Sequence, residues 1–300
     1  MKTIQKLLAS ILVFAFSLTL LNSWPGAANA EENLSAANRY NVVLVMDKSG
    51  SLCNAEGSGT DPDGLRYDAM RLFLGLLTET GNNVGVIAFD EAIRYDSGLQ
   101  AINTMEDKKA LVNAVEQLGT SYDTDIGGAV LRATEILSGM KEKNGLPCAI
   151  LLLSDGMTDF TSDASQFQME RSLASAQQAL DAAQAEGITI HGILLNVDNA
   201  ARSGEEEIRF YTDGTRGQIE KVSSPEDLAA TFGRFYSIIN KTEYSHDHKI
   251  IFPLQGEVET GFFVPAFGVE EVNVVIEHGD TPVEIGNIRK IGRASCRERV

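Results

Sequence analysis

A chain of 300 residues, 43% apolar and 7% aromatic, can build a sizeable core and has the composition of an ordinary globular protein. Its formal net charge of −17 argues against a nucleic-acid role and against adsorption to anionic lipid, and it favours attraction of cations. The two chain ends are less acidic than the rest: they contribute Lys2, Lys6, Arg293, Arg297 and Arg299 against Glu298 alone.

The first segment, 1–30, has Lys2 and Lys6 ahead of an apolar run from Leu7 to Leu21, then Ala28-Asn29-Ala30 and the acidic Glu31-Glu32. This is the pattern of a secretory signal peptide with a small-residue cleavage site, which predicts export to the extracellular space or the cell surface. The competing reading, a membrane anchor, is weaker because the run is short for a bilayer span. Residues 31–39 read as a linker.

From Tyr40 onward, short apolar runs alternate with longer stretches of helical period. Asn41 to Met46, Val84 to Phe89, Ala149 to Leu153 and Ile188 to Leu195 are apolar on both faces, as strands of a parallel sheet covered on both sides are. Helices are predicted over Leu65 to Thr80, Lys108 to Leu118, Gly127 to Leu137 and Ser165 to Ala185. The Ile93 to Tyr95 and Leu99 to Ile102 stretches predict one antiparallel edge strand beside Val84 to Phe89. Gln218 to Val222 supplies a last strand and Pro225 to Ile239 a last helix, with Ser224 placed to cap it. The fold class is therefore α/β, a doubly wound and mostly parallel sheet.

After the polar stretch 241–248 the rhythm becomes strands without helices, which predicts the start of an antiparallel β-rich domain through residue 290. Residues 291–300 end in Arg-Ala-Ser-Cys-Arg-Glu-Arg-Val, a basic run foreign to the chain, and resemble a translated sequencing adapter. On that reading the natural protein continues past Lys290, and membrane attachment through the missing C-terminus is open.

Of three cysteines, Cys296 falls in the suspect tail. Cys53 follows one strand and Cys148 opens another at its opposite end, about 20 Å away at ~3.3 Å per residue, far beyond disulfide reach. Both are expected to be free thiols, with Cys148 in the core.

The chemistry gathers where strands end. The first strand runs into Asp47-Lys48-Ser49-Gly50-Ser51, so one carboxylate and two hydroxyls fall at alternate positions as the chain leaves the sheet. Ser121 to Ala129, with Thr124, precedes a helix; Ser154-Asp155-Gly156 ends the Ala149 strand. Ligands of open parallel sheets bind outside the carboxyl ends of the strands. Three loops thus offer two carboxylates and three hydroxyls at one edge, without sulfur or imidazole, a donor set suited to a hard cation such as magnesium.

Asp-x-Ser-x-Ser, then a loop Thr ahead of a Gly-Gly-Ala helix, then an Asp ending an apolar strand, resembles the metal-ion-dependent adhesion site of von Willebrand factor A domains, over about Tyr40 to Asn240. The resemblance implies that Ser49, Ser51 and Thr124 ligate Mg2+ or Mn2+ directly or nearly so, and that Asp47 and Asp155 act largely through waters. It also implies an Asp or Glu of a protein ligand completing the metal shell, in adhesion or cell-surface assembly. Two details depart from the family's commonest pattern: Leu52 stands where Met is frequent, and 55–63 lengthens the loop before the first helix. The acidic residues Asp90, Asp123, Asp125, Asp159 and Asp163 are expected around the same edge, with Asp125 bracing the Thr124 loop.

Each element alone has an ordinary explanation, since Asp, Ser and Thr cap helices and make turns; the joint placement is what argues for metal. Catalysis is not expected. No Gly-x-Gly-x-x-Gly turn follows the first strand, and His191 starts its strand at the far edge from Ser49 and Ser51. The alternatives are a scaffold subunit of a surface complex with a structural cation, and, further off, a metal-dependent hydrolase.

Overall fold

The computed structural model describes residues 39–52, 59–77, 81–121, 123–161, 165–195 and 202–240. The chain divides into two units, Met1–Tyr244 and Ser245–Val300, and all of these residues belong to the first. The expected signal peptide, the β-rich domain, the terminal basic run, Cys53 and Asp163 lie outside the described residues.

The strands are β1 (Asn41–Asp47), β2 (Asn82–Phe89), β3 (Ile93–Asp96), β4 (Gln100–Ile102), β5 (Cys148–Ser154), β6 (Thr189–Leu195) and β7 (Ile219–Val222). The helices are α1 (Leu65–Leu76), α2 (Met105–Glu116), α3 (Ile126–Leu137), α4 (Met140–Asn144), α5 (Ser165–Glu186), α6 (Arg202–Thr215) and α7 (Leu228–Asn240). They build one sheet in the order β3-β2-β1-β5-β6-β7, with β4 also paired to β2. β1 is parallel to both β2 and β5, and chain order reverses across β1, which makes its carboxyl end the switch point where such folds bind ligands.

Every residue of β1 and β5 is buried, the outcome expected of strands covered on both faces. Alternation then sorts their side chains. Val42, Leu44 and Met46 pack with α1, α2 and α7 on one face, while Val43 and Val45 pack with α3, α5 and α6 on the other. Phe73 of α1 meets Phe232 and Tyr236 of α7 edge-on at 6.2 and 6.1 Å, joining helices far apart in sequence. Cys148 is a free, buried thiol in the second core.

The antiparallel edge is a single strand position broken in two. β3 pairs with the Ile87–Phe89 end of β2 and β4 with its Asn82–Val84 end. Between them the Ser97 hydroxyl accepts the Val86 N–H at 2.8 Å, substituting for a ladder bond, and Gly98 turns the chain with a φ of 60°. The outcome is two short edge segments instead of a long unpaired one.

Three local expectations change. α2 begins at Met105, ahead of Lys108, because Thr104 and Asp107 form a reciprocal capping box. Ser224 occupies a cap position but makes no side-chain cap bond; a 3-10 turn at Pro225–Asp227 leads into α7. α6 was not expected from the sequence at all: Glu205, Glu206 and Glu207 stand in its first half, and its hold on the sheet comes from Ile208 and Tyr211.

Buried cations finish two helix ends. Lys48 Nζ donates to the carbonyls of Val115 and Leu118 at 2.9 and 2.7 Å, at the end of α2. Lys108 Nζ donates to the carbonyls of Leu77 and Gly75 at 2.6 and 3.4 Å, at the end of α1. Both place a positive charge on carbonyls at the negative ends of the helix dipoles, where main-chain partners run out.

Candidate metal centre

The carboxyl ends of β1 and β5 are adjacent strands, so Asp47 and the Ser154-Asp155 pair leave the sheet side by side. The turn after β1 is wound by Asp47 itself. Its Oδ1 accepts the Ser49 N–H at 2.7 Å and its Oδ2 accepts the Ser154 hydroxyl at 2.6 Å. That turn brings the Ser49 and Ser51 hydroxyls to 3.0 Å of each other, and Ser51 Oγ donates to Asp155 Oδ1 at 2.9 Å. Lys48, between them, points away under α2, so its charge does not enter the cluster.

The third loop is stitched to the other two by backbone. Ser121 bridges Ser49 in parallel, and Thr124 bridges Asp159 with N–H to O distances of 2.8 and 3.0 Å. Thr124 is buried, and its hydroxyl takes no hydrogen bond among the described residues. Asp47, Ser49, Ser51 and Asp155 are thus directly linked by side-chain hydrogen bonds, and Thr124 is held beside them by main-chain bridges.

The surrounding acids are occupied elsewhere. Asp125 caps α3, accepting Gly128 N–H at 2.8 Å and the Ser172 hydroxyl of α5 at 2.6 Å. Asp123 Oδ1 accepts both N–H and hydroxyl of Thr161 at 3.1 and 2.6 Å. Asp90 is buried against Arg94 at 2.6 Å, and its carbonyl accepts the Asp125 N–H. Asp159 contributes its backbone to the Thr124 bridge while its side chain is exposed.

Confinement raises the proton affinity of both carboxylates, and the charge of Asp155 adds to the effect at Asp47. Burial, then the charge of Asp155, pushes Asp47 up to about 6, against the opposing pull of its bonds from Ser154 and Ser49. Burial also raises Asp155, opposed by hydrogen bonds from Thr60 and Ser51 and by the nearby Arg66 guanidinium. Among the described residues no group of three or more His, Cys, Asp or Glu could hold a metal. The donors that do converge are hydroxyls with a carboxylate pair, a set that fits a hard divalent cation retaining part of its water.

Sequence reasoning missed Thr60. Its hydroxyl donates to Asp155 Oδ2 at 2.7 Å and its N–H bonds the Ser51 carbonyl at 2.9 Å, so the lengthened loop before α1 reaches back to grip the site. Asp61 fixes that return: it accepts the Leu65 N–H at 2.7 Å and pairs with the buried Arg66 at 2.5 Å. Ser154 and Thr158 also went unassigned. His191 lies within β6 in register with Leu151 and accepts the Gln218 N–H on Nδ1 at 3.2 Å, which leaves it inside the sheet and not beside the serines.

A family model for the von Willebrand factor type A domain matches residues 42–158. Calcium-activated chloride channel regulator 1 of Mus musculus is 31% identical over 115 residues, which are 38% of this chain and 12% of that protein. A von Willebrand factor type A protein from Catenulispora acidiphila superposes with a TM-score of 0.52 at 20% identity, covering 68% of this chain and 43% of the other. The pilus adhesin SpaC of Lactobacillus rhamnosus GG, in an open conformation, gives 0.50 at 14% identity over 68% of this chain and 30% of its own. The chain spans about an eighth of the chloride channel regulator and less than half of either structure, and at these identities the two structures share the fold alone.

Proposed function

We propose that this chain, which carries a von Willebrand factor type A domain, binds a protein ligand through a divalent cation, Mg2+ or Mn2+, held by Ser49, Ser51 and Thr124 with Asp47 and Asp155 behind them. The observation that carries the reading is the continuous path Ser49 Oγ, Ser51 Oγ, Asp155 Oδ1 at 3.0 and 2.9 Å, with Thr124 bridged alongside, at the switch point of the sheet. A cation there would supply positive charge to an acidic edge and an exchange position for an external oxygen.

This chain's residues suit that use. Hydroxyl donors leave a cation more electron-poor than carboxylates would, and Asp123 and Asp125, the acids nearest in sequence to Thr124, are engaged with Thr161 and with the start of α3. The charge-compensating group is then a carboxylate of the partner, which gains a partly desolvated contact that a neutral side chain cannot make. Adhesion or surface assembly fits the signal-peptide pattern read in residues 1–30 and a pilus adhesin among proteins of like fold. Among the described residues no helix is long and apolar enough to cross a membrane.

Calorimetric titration with Mg2+ of the wild type and of Thr124→Ala tests the site. We expect the variant to keep the wild-type melting temperature in chelator while its affinity drops at least about tenfold. A wild-type melting curve indifferent to saturating Mg2+ and to chelator would sink the reading. A glutamate-bearing peptide that binds only the Mg2+-loaded protein, beside a glutamine counterpart that does not, separates ligand capture from a purely structural cation.

A further inference from the structure

The geometry points to Glu207 as a positioning residue that ties α6 to the cation site and so makes metal affinity depend on the seat of that helix. The inference rests on the metal reading of the Asp47–Asp155 cluster and adds a residue from an element outside the three loops.

The first contact is polar. Glu207 accepts the Thr158 N–H at 2.8 Å on one oxygen and the Thr158 hydroxyl at 2.6 Å on the other. Because the hydroxyl proton is committed to the carboxylate, the Thr158 lone pairs are free to accept, and Ile126 N–H donates to them at 3.2 Å. Ile126 N–H is an amide of the first turn of α3, with no intrahelical acceptor. The chain therefore runs in one direction, from amide through hydroxyl to carboxylate, and each bond polarises the next.

The second contact is steric and independent of the first. Gly204 lies one turn before Glu207 on α6, and a Cβ there would stand 2.8 Å from the Gly156 carbonyl oxygen, the residue directly after Asp155. One face of α6 thus presses on Gly156 and holds Thr158. Thr158 in turn fixes Ile126, two residues after Thr124, while the Thr124–Asp159 bridge locks the two loops to each other. The segments carrying Asp155 and Thr124 form one unit that α6 grips at two points, so any displacement of α6 moves both sets of cation donors together.

The test compares Glu207→Gln, Gly204→Ala and the exposed neighbour Glu206→Gln with the wild type, measuring Mg2+ affinity by calorimetry, denaturant midpoint in chelator, and exchange of the Ile126 and Asp159 amides. A carboxamide offers one acceptor where Thr158 needs two, so Glu207→Gln is expected to weaken Mg2+ binding about 10- to 100-fold and to speed exchange at Ile126, with Glu206→Gln like the wild type. Should Glu207→Gln fail to fold, Gly204→Ala, which leaves the polar chain intact and displaces Gly156, is expected to weaken Mg2+ binding in the same way. A lowered midpoint with unchanged Mg2+ affinity in both α6 variants would overturn this inference while leaving the metal reading intact. A wild type that binds no Mg2+ would overturn both.

Discussion

His191 gives the molecule a pH dependence whose size follows from its surroundings. It is 5% exposed, its ring lies 5.6 Å from that of Phe235, and its Nδ1 accepts from Gln218 N–H, so protonation would both charge a buried ring and turn an acceptor into a donor facing a donor. Burial lowers its pKa from 6.5 to about 4. Since the folded value lies below the unfolded one, the stabilisation is complete above the unfolded value and is lost as pH falls from 6.5 toward 4. At about 1.4 kcal/mol per pH unit, moving from pH ~7.5 to ~4.5 costs about 2.5 kcal/mol from this residue. Asp47, whose pKa is raised, works in the opposite sense over an overlapping range, so total stability is a poor measure and the comparison with a variant is needed. His191→Asn keeps an acceptor near the Nδ1 position but cannot be protonated. Its denaturation free energy should be lower than that of the wild type at the higher pH, and the gap should narrow by about 2.5 kcal/mol at the lower one. Parallel pH profiles for the two proteins would refute the assignment.

Two further outcomes follow from the site and the core. Asp47→Asn removes one of two like charges from a buried cluster, with the Ser154 hydroxyl able to turn round and accept; in chelator the variant should be more stable by about 1–3 kcal/mol at neutral pH, yet gain nothing from Mg2+, both read by thermal melts. A variant less stable than the wild type in chelator would show that the carboxylate pair is not repulsive. Leu152→Ala, fully buried on β5, should cost about 3–5 kcal/mol in denaturant unfolding while leaving Mg2+ affinity within about twofold, the reverse of the outcome expected of Thr124→Ala.

The sheet and most of the candidate site were legible because each rests on short-range pattern. Strands apolar on both faces announce a covered parallel sheet, and the Asp47, Thr124 and Asp155 segments each stand where a strand ends or a helix starts. Thr60 was not legible, because its role depends on how far an inserted loop returns, which Asp61 and Arg66 decide through a buried ion pair. α6 was hidden for a related reason: a helix that meets the sheet through Ile208 and Tyr211 and a neighbouring loop through Glu207 shows too few apolar positions to reveal a period. The early start of α2 did carry a signal, Thr104 three residues before Asp107, in a variant of the capping box that uses Asp at its third position.

Lys48 and Lys108 spend their ammonium groups on helix carbonyls inside the fold, at 2% and 3% exposure. An amine-directed acylating reagent should therefore pass them by in the native protein while reacting with outward lysines such as Lys109 and Lys143. Peptide mapping of Lys48 and Lys108 after brief labelling then reports opening of the ends of α2 and α1, and because Lys48 sits inside the Asp47–Ser51 turn, the same label reports whether Mg2+ holds that turn shut.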